Sequence, residues 1–392
     1  MSIIVVGGGV VGVTLALAIA YETQGRQVVN LVEGLDPSTR FALNDAGRSI
    51  ALSEATYKKL SALNIWSSLA PIATAITNIH ISDRGLPSSI VLNATDYGVS
   101  SLGYVIELKS ALKRLFARLK ATPGIALYCP NKISSIERTK DFVRVTLDDH
   151  KILYGTLLIA ADGSSSNVAK LCGIKRYCCD YPQIAVVATI STQLEHKGWA
   201  FERFTSEGPL AMLPIANGYS SLVWCQATSN KEAISHWSDQ EFLMELQKAF
   251  GWRLGHLTGT GKRQIYPLQL QIISQNISHR LIFIGDAAHT LHPVAGQGCN
   301  LGIRDVMSLL DTLQIAWNSG KDAGEYRTLQ RYQKLRKLDV QTTINITNGL
   351  VNIFSSKEAL LVMGRTLGMA IIDHIPQLRN ILAQWTLGWL KS

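Results

Sequence analysis

The sequence predicts an α/β protein: a Rossmann-like dinucleotide-binding domain, an antiparallel-sheet domain inserted into it (an α+β insert), and a helical C-terminal segment. Three observations carry this reading. An apolar, β-branched run over Ser2–Val6 passes directly into Gly7-Gly8-Gly9-Val10-Val11-Gly12 and then into an apolar helical stretch ending near Tyr21. Two later buried-strand patterns, residues 157–161 and 281–284, each run into a Gly/Asp turn, Asp162-Gly163 and Gly285-Asp286. Between them, residues 175–270 alternate short strands with turn signals, the texture of an antiparallel sheet.

In the opening unit the glycines have separate tasks. Gly7 permits the tight turn off the strand, Gly9 lets backbone approach a pyrophosphate, and Gly12 lets the helix lie close on the sheet. The anion then sits at a helix N-terminus, where amides are unpaired. A second strand, residues 27–32, delivers Glu33 about 20 residues beyond the motif. Its carboxylate suits an unphosphorylated ribose 2′-hydroxyl, which favours FAD or NAD over NADP.

Composition narrows the class. With 392 residues, 47% hydrophobic and 17% charged, the chain can bury a large core and form two or three domains. The first residues are as apolar as a signal peptide but lack a basic leader and contain the dinucleotide motif, so they read as fold. No uninterrupted apolar run reaches about 18 residues, so no spanning helix is expected. Cys129, Cys172, Cys178, Cys179, Cys225 and Cys299 lack C-x-x-C spacing and read as reduced thiols of a cytoplasmic protein. A net charge of +9 fits an acidic membrane surface or protein partner, and equally a general compositional bias. Nucleic acid is not expected as a partner, because the basic residues are dispersed without a recognition motif. Arg327, Arg331, Lys334, Arg336 and Lys337 read as one solvated helix face.

After Glu33 a polar loop is expected, then residues 48–53 leading into a helix over 54–63. Arg48 reads either as a surface arginine or as a cation reaching phosphates. Residues 79–82 and 90–92 read as strands around a Gly85-Leu86-Pro87 turn, followed by a strand at 104–107, an amphipathic helix at 108–120, and strands at 133–137 and 143–147. A short helix follows Ser164-Ser165-Ser166. Further strands are expected at 184–189, 210–214 and 220–226, with Asn217-Gly218 as a hairpin turn. Phe201, Phe204, Met212, Trp224 and Trp237 read as core or as pocket wall, core being the commoner fate of such residues in a sheet. Residues 255–262 only superficially suggest a phosphate loop, since the first glycine is misplaced by one and Arg263 holds the Ser/Thr position.

The strand at 281–284 brings Asp286 to the carboxyl edge of the sheet, and Gly296, Gly298 and Gly302 flank a helix start whose amides can hold an electron-rich ring edge. His289 and His292 lack an evident third ligand, so no metal is expected. From about residue 305 the chain is helical, with a break at Pro376. Its apolar end, residues 381–390 with Trp385 and Trp389, reads as closure of the core or as a docking surface for a partner or membrane.

Three motifs thus occur in one order: Gly7 to Gly12 with Glu33, Ala161-Asp162-Gly163, and Gly285-Asp286 with Pro293 and Gly296-Gln297-Gly298-x-Asn300. The combination resembles the class A flavoprotein aromatic hydroxylases, single-component FAD monooxygenases similar to para-hydroxybenzoate hydroxylase, over essentially the whole chain. Residues 201–214, Phe250-Gly251-Trp252-Arg253-Leu254-Gly255 and residues 383–389 resemble the ubiquinone-biosynthesis branch.

The resemblance implies FAD as cofactor, NAD(P)H as electron donor and molecular oxygen as co-substrate. Gly7, Gly9 and Gly12 would hold the FAD pyrophosphate, Glu33 the adenosine ribose, Arg48 the phosphates and Asp286 the ribityl chain. Asp162 and Gly163 would touch both FAD and NAD(P)H, amides from Gly296 and Gly298 to Asn300 would face the pyrimidine ring, and the Pro293 backbone would sit beside the isoalloxazine. Two departures bear on the donor contacts: Ala169 stands where the family often has arginine, and Glu107 where many members have arginine.

The implied reaction is ring hydroxylation of a polyprenylated methoxyphenol. A prenyl tail implies an apolar groove, peripheral membrane or lipid-carrier contact, and a ubiquinone-biosynthesis protein complex. Rival readings are hydroxylation at another ring position, prenyl reduction, and a non-catalytic flavin-binding subunit. No spacing selects a residue that deprotonates the phenol. The expected division is a discontinuous FAD-binding domain (1–70, 101–174 and 275–330), a substrate domain (71–100 and 175–274) and a helical region (331–392).

Overall fold

A run of β-branched residues with no polar alternation has to be covered on both faces, and Ile3, Ile4 and Val5 of the strand Ser2–Val6 are fully buried. Ile3 and Val5 pack with Leu15 and Ile19 of the helix Val10–Glu22, while Ile4 and Val6 face Val143, Val145 and Leu158. The computed structural model describes residues 2–43, 47–84, 89–355 and 375–389; the expected turn Gly85-Leu86-Pro87 and Leu390 lie outside them.

Ser2–Val6 pairs in parallel with Val29–Val32 on one side and Ile152–Ala160 on the other. Ile152–Ala160 pairs in parallel with Leu281–Phe283, and Val29–Val32 with Ile125–Tyr128. Parallel pairing sets the C-terminal ends of these strands on one edge, so Gly7, Glu33, Asp162 and Gly285 all emerge there. Antiparallel Val143–Leu147 and Ile133–Arg138 help complete an eight-stranded sheet.

A second, nine-stranded sheet holds Arg176–Thr192, Ser220–Ala227, Gly208–Pro214 and Trp199–Thr205 in antiparallel order. Asn78–Asp83 joins it by a parallel pairing with Trp199–Thr205. Asn217 (φ 62°) and Gly218 (φ 76°) make the hairpin turn between Gly208–Pro214 and Ser220–Ala227. The helix Asp239–Phe250, started by a reciprocal Ser238/Glu241 capping box, lays Phe242, Leu246 and Phe250 against one face. Phe201, Met212 and Trp224 belong to that buried layer, with Trp237 packed on it. Phe204 points to the opposite face, against Val294.

Several short elements differ from expectation, among them the strand Ile125–Tyr128. A helix, Pro37–Leu43, stands in the expected loop, because the Asp36 carboxylate accepts from the Thr39 amide at 3.0 Å and Pro37 suits a first helical position. Ser49–Ser53 is a strand, paired antiparallel with Gly103–Glu107 in a three-stranded sheet. At the far end, Ala383 and Leu387 of the helix Pro376–Leu387 are fully buried, and the Trp389 indole donates to Glu54 at 2.7 Å.

The basic face on Tyr326–Ser355 needs a correction. Arg327, Arg331, Lys334 and Lys337 are exposed as expected, but Arg336 is only 2% exposed. Its Nε donates to Asp305 at 2.8 Å, Asp305 lying on the neighbouring helix Gln297–Asn318, and its other end pairs with Asp339. Two packed helices are therefore joined by a buried ion pair. Removing one partner of such a pair leaves a buried charge uncompensated and costs about 3–5 kcal/mol. Urea unfolding should show a loss of that size for Arg336→Met and almost none for Lys334→Met; equal effects would refute the distinction.

Candidate functional site

The four turns at the sheet's carboxyl edge are in direct contact. Gly7 takes φ 110° and its amide donates to Val32 at 2.8 Å. A Cβ there would strike the Ala161 carbonyl, and one on Gly12 would strike the carbonyl of Gly7. Gly8, which the motif leaves unspecified, is as constrained: a Cβ would lie 2.7 Å from the Phe116 ring and 2.8 Å from the Glu33 carboxylate. Glu33 is 2% exposed, accepting from the Gly8 amide with one oxygen and from the Leu35 amide at 2.7 Å with the other. A carboxylate oxygen has capacity for more than one donor.

Asp162 accepts from the Val168 amide at 3.1 Å through one oxygen, while the other is buried without a hydrogen-bond partner. Ser166 caps the helix Asn167–Leu171 by accepting from Ala169 at 3.1 Å. Ala169 is 2% exposed in the apolar layer, where an arginine would have no room. The guanidinium that serves this corner is Arg176, which the sequence reading missed. It donates to the carbonyls of Gly163 (3.3 Å) and Ser164 on one turn and of Asp286 (2.8 Å) and Ala287 (3.0 Å) on the other. One side chain thus joins the Asp-Gly turn to the Gly-Asp turn.

The Asp286 side chain is open to solvent, yet protein surrounds it on most sides. The loss of bulk water pushes its carboxyl above the ordinary value, with His289, Arg48 and Arg176 pulling the other way. Arg48 therefore stands within electrostatic reach of Asp286, its guanidinium 5.1 Å from the centre of the Tyr266 ring. Beneath them, the Asp305 carboxylate accepts from the Gly285 amide at 2.9 Å and from His289 at 2.8 Å. Burial would raise its pKa, but His289, Arg336 and the Gly285 amide outweigh that and hold it well below the carboxylate range.

Pro293 begins a short turn in which Gly296, at φ 60°, donates to the Pro293 carbonyl at 3.1 Å. The helix Gln297–Asn318 starts there with no side-chain cap and no acid in its first turn. The Asn300 side chain is fully occupied. It accepts from the Ser53 amide (2.9 Å) and Thr56 hydroxyl (2.8 Å) and donates to Ala51 and Gly296 (both 2.9 Å), so it knits the fold and leaves only its backbone near the edge. His292 is fully buried, hydrogen-bonded to Gln183 at 3.1 Å and to the Val294 amide at 3.3 Å. Among the described residues no His/Cys/Asp/Glu group could hold a metal. Glu107 is exposed and engages Ser110, within its own helix start.

The residues fit a phosphate-bearing dinucleotide. Val10–Glu22, like Gln297–Asn318, opens with no side-chain cap and no acid in its first turn. A Cβ on Gly163 or Gly298 would meet nothing within 4 Å, so both face open space, and Asp162 brings an unpaired acceptor.

The chain matches the FAD binding domain family model over residues 1–346. It is 33% identical over 389 residues to ubiquinone hydroxylase UbiL of Rhodospirillum rubrum, covering 99% of this chain and 90% of that protein. To the 3-demethoxyubiquinol 3-hydroxylase of Escherichia coli it is 28% identical over 387 residues, covering 98% of each. In fold it is similar to p-nitrophenol 4-monooxygenase PnpA of Pseudomonas putida, with TM-score 0.80, 16% identity and 98% of each chain covered.

Two outcomes follow from this geometry. Arg176→Met should accelerate amide hydrogen exchange in residues 163–166 and 286–288 at least about tenfold, a local opening easier by about 1.4 kcal/mol; unchanged exchange would show that Arg176 does not join the turns. Burial lowers the His292 imidazole to about 4 from its ordinary 6.5. Between those values the unfolded chain binds a proton that the folded chain does not. The stability His292 contributes is therefore intact above its ordinary value and is lost as pH falls, at about 1.4 kcal/mol per pH unit. Urea midpoints between about pH 6.5 and pH 5 should fall more steeply for the native chain than for His292→Gln, and equal slopes would contradict the assignment.

Proposed function

Because the chain belongs to the FAD binding domain family, as a ubiquinone-biosynthesis class A flavin monooxygenase, we propose that it converts 2-polyprenyl-6-methoxyphenol to the 1,4-benzoquinol. The observation that supports this most is the placement of the Pro293 turn. It lies between an uncapped helix start on one side and the apolar group Phe204, Val294, Ile81 and Tyr181 on the other. A planar ring can be held at the helix amides while its outer face looks onto a water-poor wall.

FAD held at this edge would supply the redox chemistry, taking reducing equivalents from NAD(P)H and passing them to molecular oxygen for hydroxylation of the phenol ring. The chain's own residues bind and orient. Gly7, Gly9 and Gly12, with the amides opening Val10–Glu22, take the pyrophosphate; Glu33 takes the adenosine ribose, and Arg48 neutralises phosphate charge. Asp286 accepts from the ribityl hydroxyls, and Asp162 and Gly163 form the contact shared with NAD(P)H. The amides near Gly296, Gly298 and Asn300 face the pyrimidine edge, and Pro293 offers its backbone beside the reacting centre. Phe204 and Val294 keep water away, which protects the activated oxygen from unproductive release.

We assign the cofactor to a discontinuous domain of residues 1–70, 101–174 and 275–330, the substrate to residues 71–100 and 175–274, and a helical region to 331–392, of which residues 356–374 and 390–392 lie outside the described ones. No described helix is long and apolar enough to cross a membrane. A prenylated substrate then calls for peripheral contact with a membrane or lipid carrier at the cytoplasmic face, and for neighbouring enzymes of the same pathway. A second reading, hydroxylation at another ring position, is favoured by the name of the Escherichia coli relative, a 3-demethoxyubiquinol 3-hydroxylase.

Incubation of the purified protein with NAD(P)H, oxygen and prenylated phenols tests both. The methoxyphenol should gain one oxygen para to its hydroxyl, located by NMR of the product; addition at another position selects the second reading, and no addition to any phenol overturns both. Asp286→Ala should weaken FAD binding about tenfold, or about 1.4 kcal/mol, measured by fluorescence titration. Unaltered affinity would remove Asp286 from the cofactor site.

A further inference from the structure

His292 is fully buried, and its two ring nitrogens have opposite tasks. The Glu207 carbonyl can only accept, and it receives the Gln183 amide nitrogen at 2.7 Å. Gln183 must then turn its oxygen toward His292 Nε2, 3.1 Å away, which requires a proton on Nε2. The Nδ1 lone pair is left to accept the Val294 amide at 3.3 Å. One directed chain of hydrogen bonds runs from the backbone beside Pro293, through the imidazole and Gln183, to the turn between Trp199–Thr205 and Gly208–Pro214.

The same imidazole is braced from a second side. The Tyr181 ring stands edge-on to it at 5.2 Å and 86°, and the Tyr181 hydroxyl donates to Asn348 on the helix Tyr326–Ser355. Gln183 and Tyr181 both lie on Arg176–Thr192, a central strand of the second sheet. With both nitrogens engaged and no solvent access, His292 cannot trade protons with a substrate. Its contacts hold one backbone turn at a set distance from one sheet.

We infer that His292 is a positioning residue for ring oxygenation, fixing the Pro293-Val294 turn against the sheet through Gln183. This rests on the reading of the chain as a phenol hydroxylase. Transfer of oxygen to the ring is sensitive to displacements of an ångström, which cost up to about a hundredfold, whereas consumption of NAD(P)H is not bound to the ring's placement in that way. Loosening the link therefore uncouples the two.

The test uses the flavin-loaded full chain with His292→Phe, which keeps a ring but loses both bonds, Gln183→Leu, which removes the acceptor, and the double variant. Each single variant should keep its FAD content and oxidise NAD(P)H within about twofold of the native rate, while product formed per NAD(P)H falls about tenfold and hydrogen peroxide takes up the difference. The double variant should match either single one, because one link is cut twice. Native coupling in both singles, or an additive double variant, overturns the inference. A nitrogen-15 spectrum of the histidines in the flavin-free native chain, with the His292 signals identified by their loss in His292→Phe or His292→Asn, should show the Nε2–H form, and the Nδ1–H form would overturn the inference whatever the variants do. If the native chain oxygenates no phenol, the functional reading falls. The link is then judged on the tautomer and on an equal displacement of the bound flavin's absorption bands in both single variants.

Discussion

The Asp305 carboxylate is the constraint on which the rest depends. It has no solvent exposure; one oxygen accepts from Arg336, and the other from His289 and the Gly285 amide. A buried charge is tolerated only when fully compensated. Asp305 therefore demands that the Gly-Asp turn, the two-residue strand His289–Thr290 directly after it, and the long helix Tyr326–Ser355 all stay in place. Asp339 extends the arrangement by accepting from Arg304 at 2.8 Å, and Arg304 also donates to Thr343 at 3.1 Å. The ionic cluster lies under the turn that presents Asp286, so stability of the helical layer and geometry of the cofactor edge are one problem.

Above that foundation the site is assembled by single side chains that bridge turns. Arg176 joins Asp162-Gly163 to Gly285-Asp286, Asn300 joins the last helix start to Ser49–Ser53, and His292 joins the Pro293 turn to the second sheet. Arg176 ends on backbone carbonyls alone, Asn300 on backbone groups and the Thr56 hydroxyl, and His292 on the Val294 amide and the Gln183 side chain. Such contacts fix the path of the chain and leave Gly163 and Gly298 facing open space, which is what a preorganised binding edge requires.

The parallel core, the glycine turn at Gly7 to Gly12 and the two Gly/Asp turns were legible in the sequence because their signals are local: a strand's apolar run, a glycine's missing Cβ and an acid at a fixed spacing. The hairpin at Asn217-Gly218 was legible for the same reason. The strand Ser49–Ser53 was not, since its partner Gly103–Glu107 lies some fifty residues away and pairing at that range leaves no local period. Pro37–Leu43 was hidden in a polar stretch, although Asp36-Pro37 is itself a helix-start signal. Arg336 looked like its basic neighbours, and only the Asp305 carboxylate on another helix separates it from them. Arg176 was equally unreadable, for its four acceptors are backbone carbonyls with no sequence identity. Among the aromatic residues, only the strand register could tell that Phe204 faces the Pro293 turn while Phe201 faces the helix Asp239–Phe250.

The proposed function requires that the oxygen atom added to the phenol ring come from molecular oxygen. A reaction under isotopically labelled molecular oxygen, with the prenylated methoxyphenol and NAD(P)H, tests it directly. One labelled oxygen atom in the ring hydroxyl of the product is the expected result. A product that carries unlabelled oxygen from water, or a phenol recovered unchanged while NAD(P)H is consumed at a rate the phenol does not alter, would contradict it.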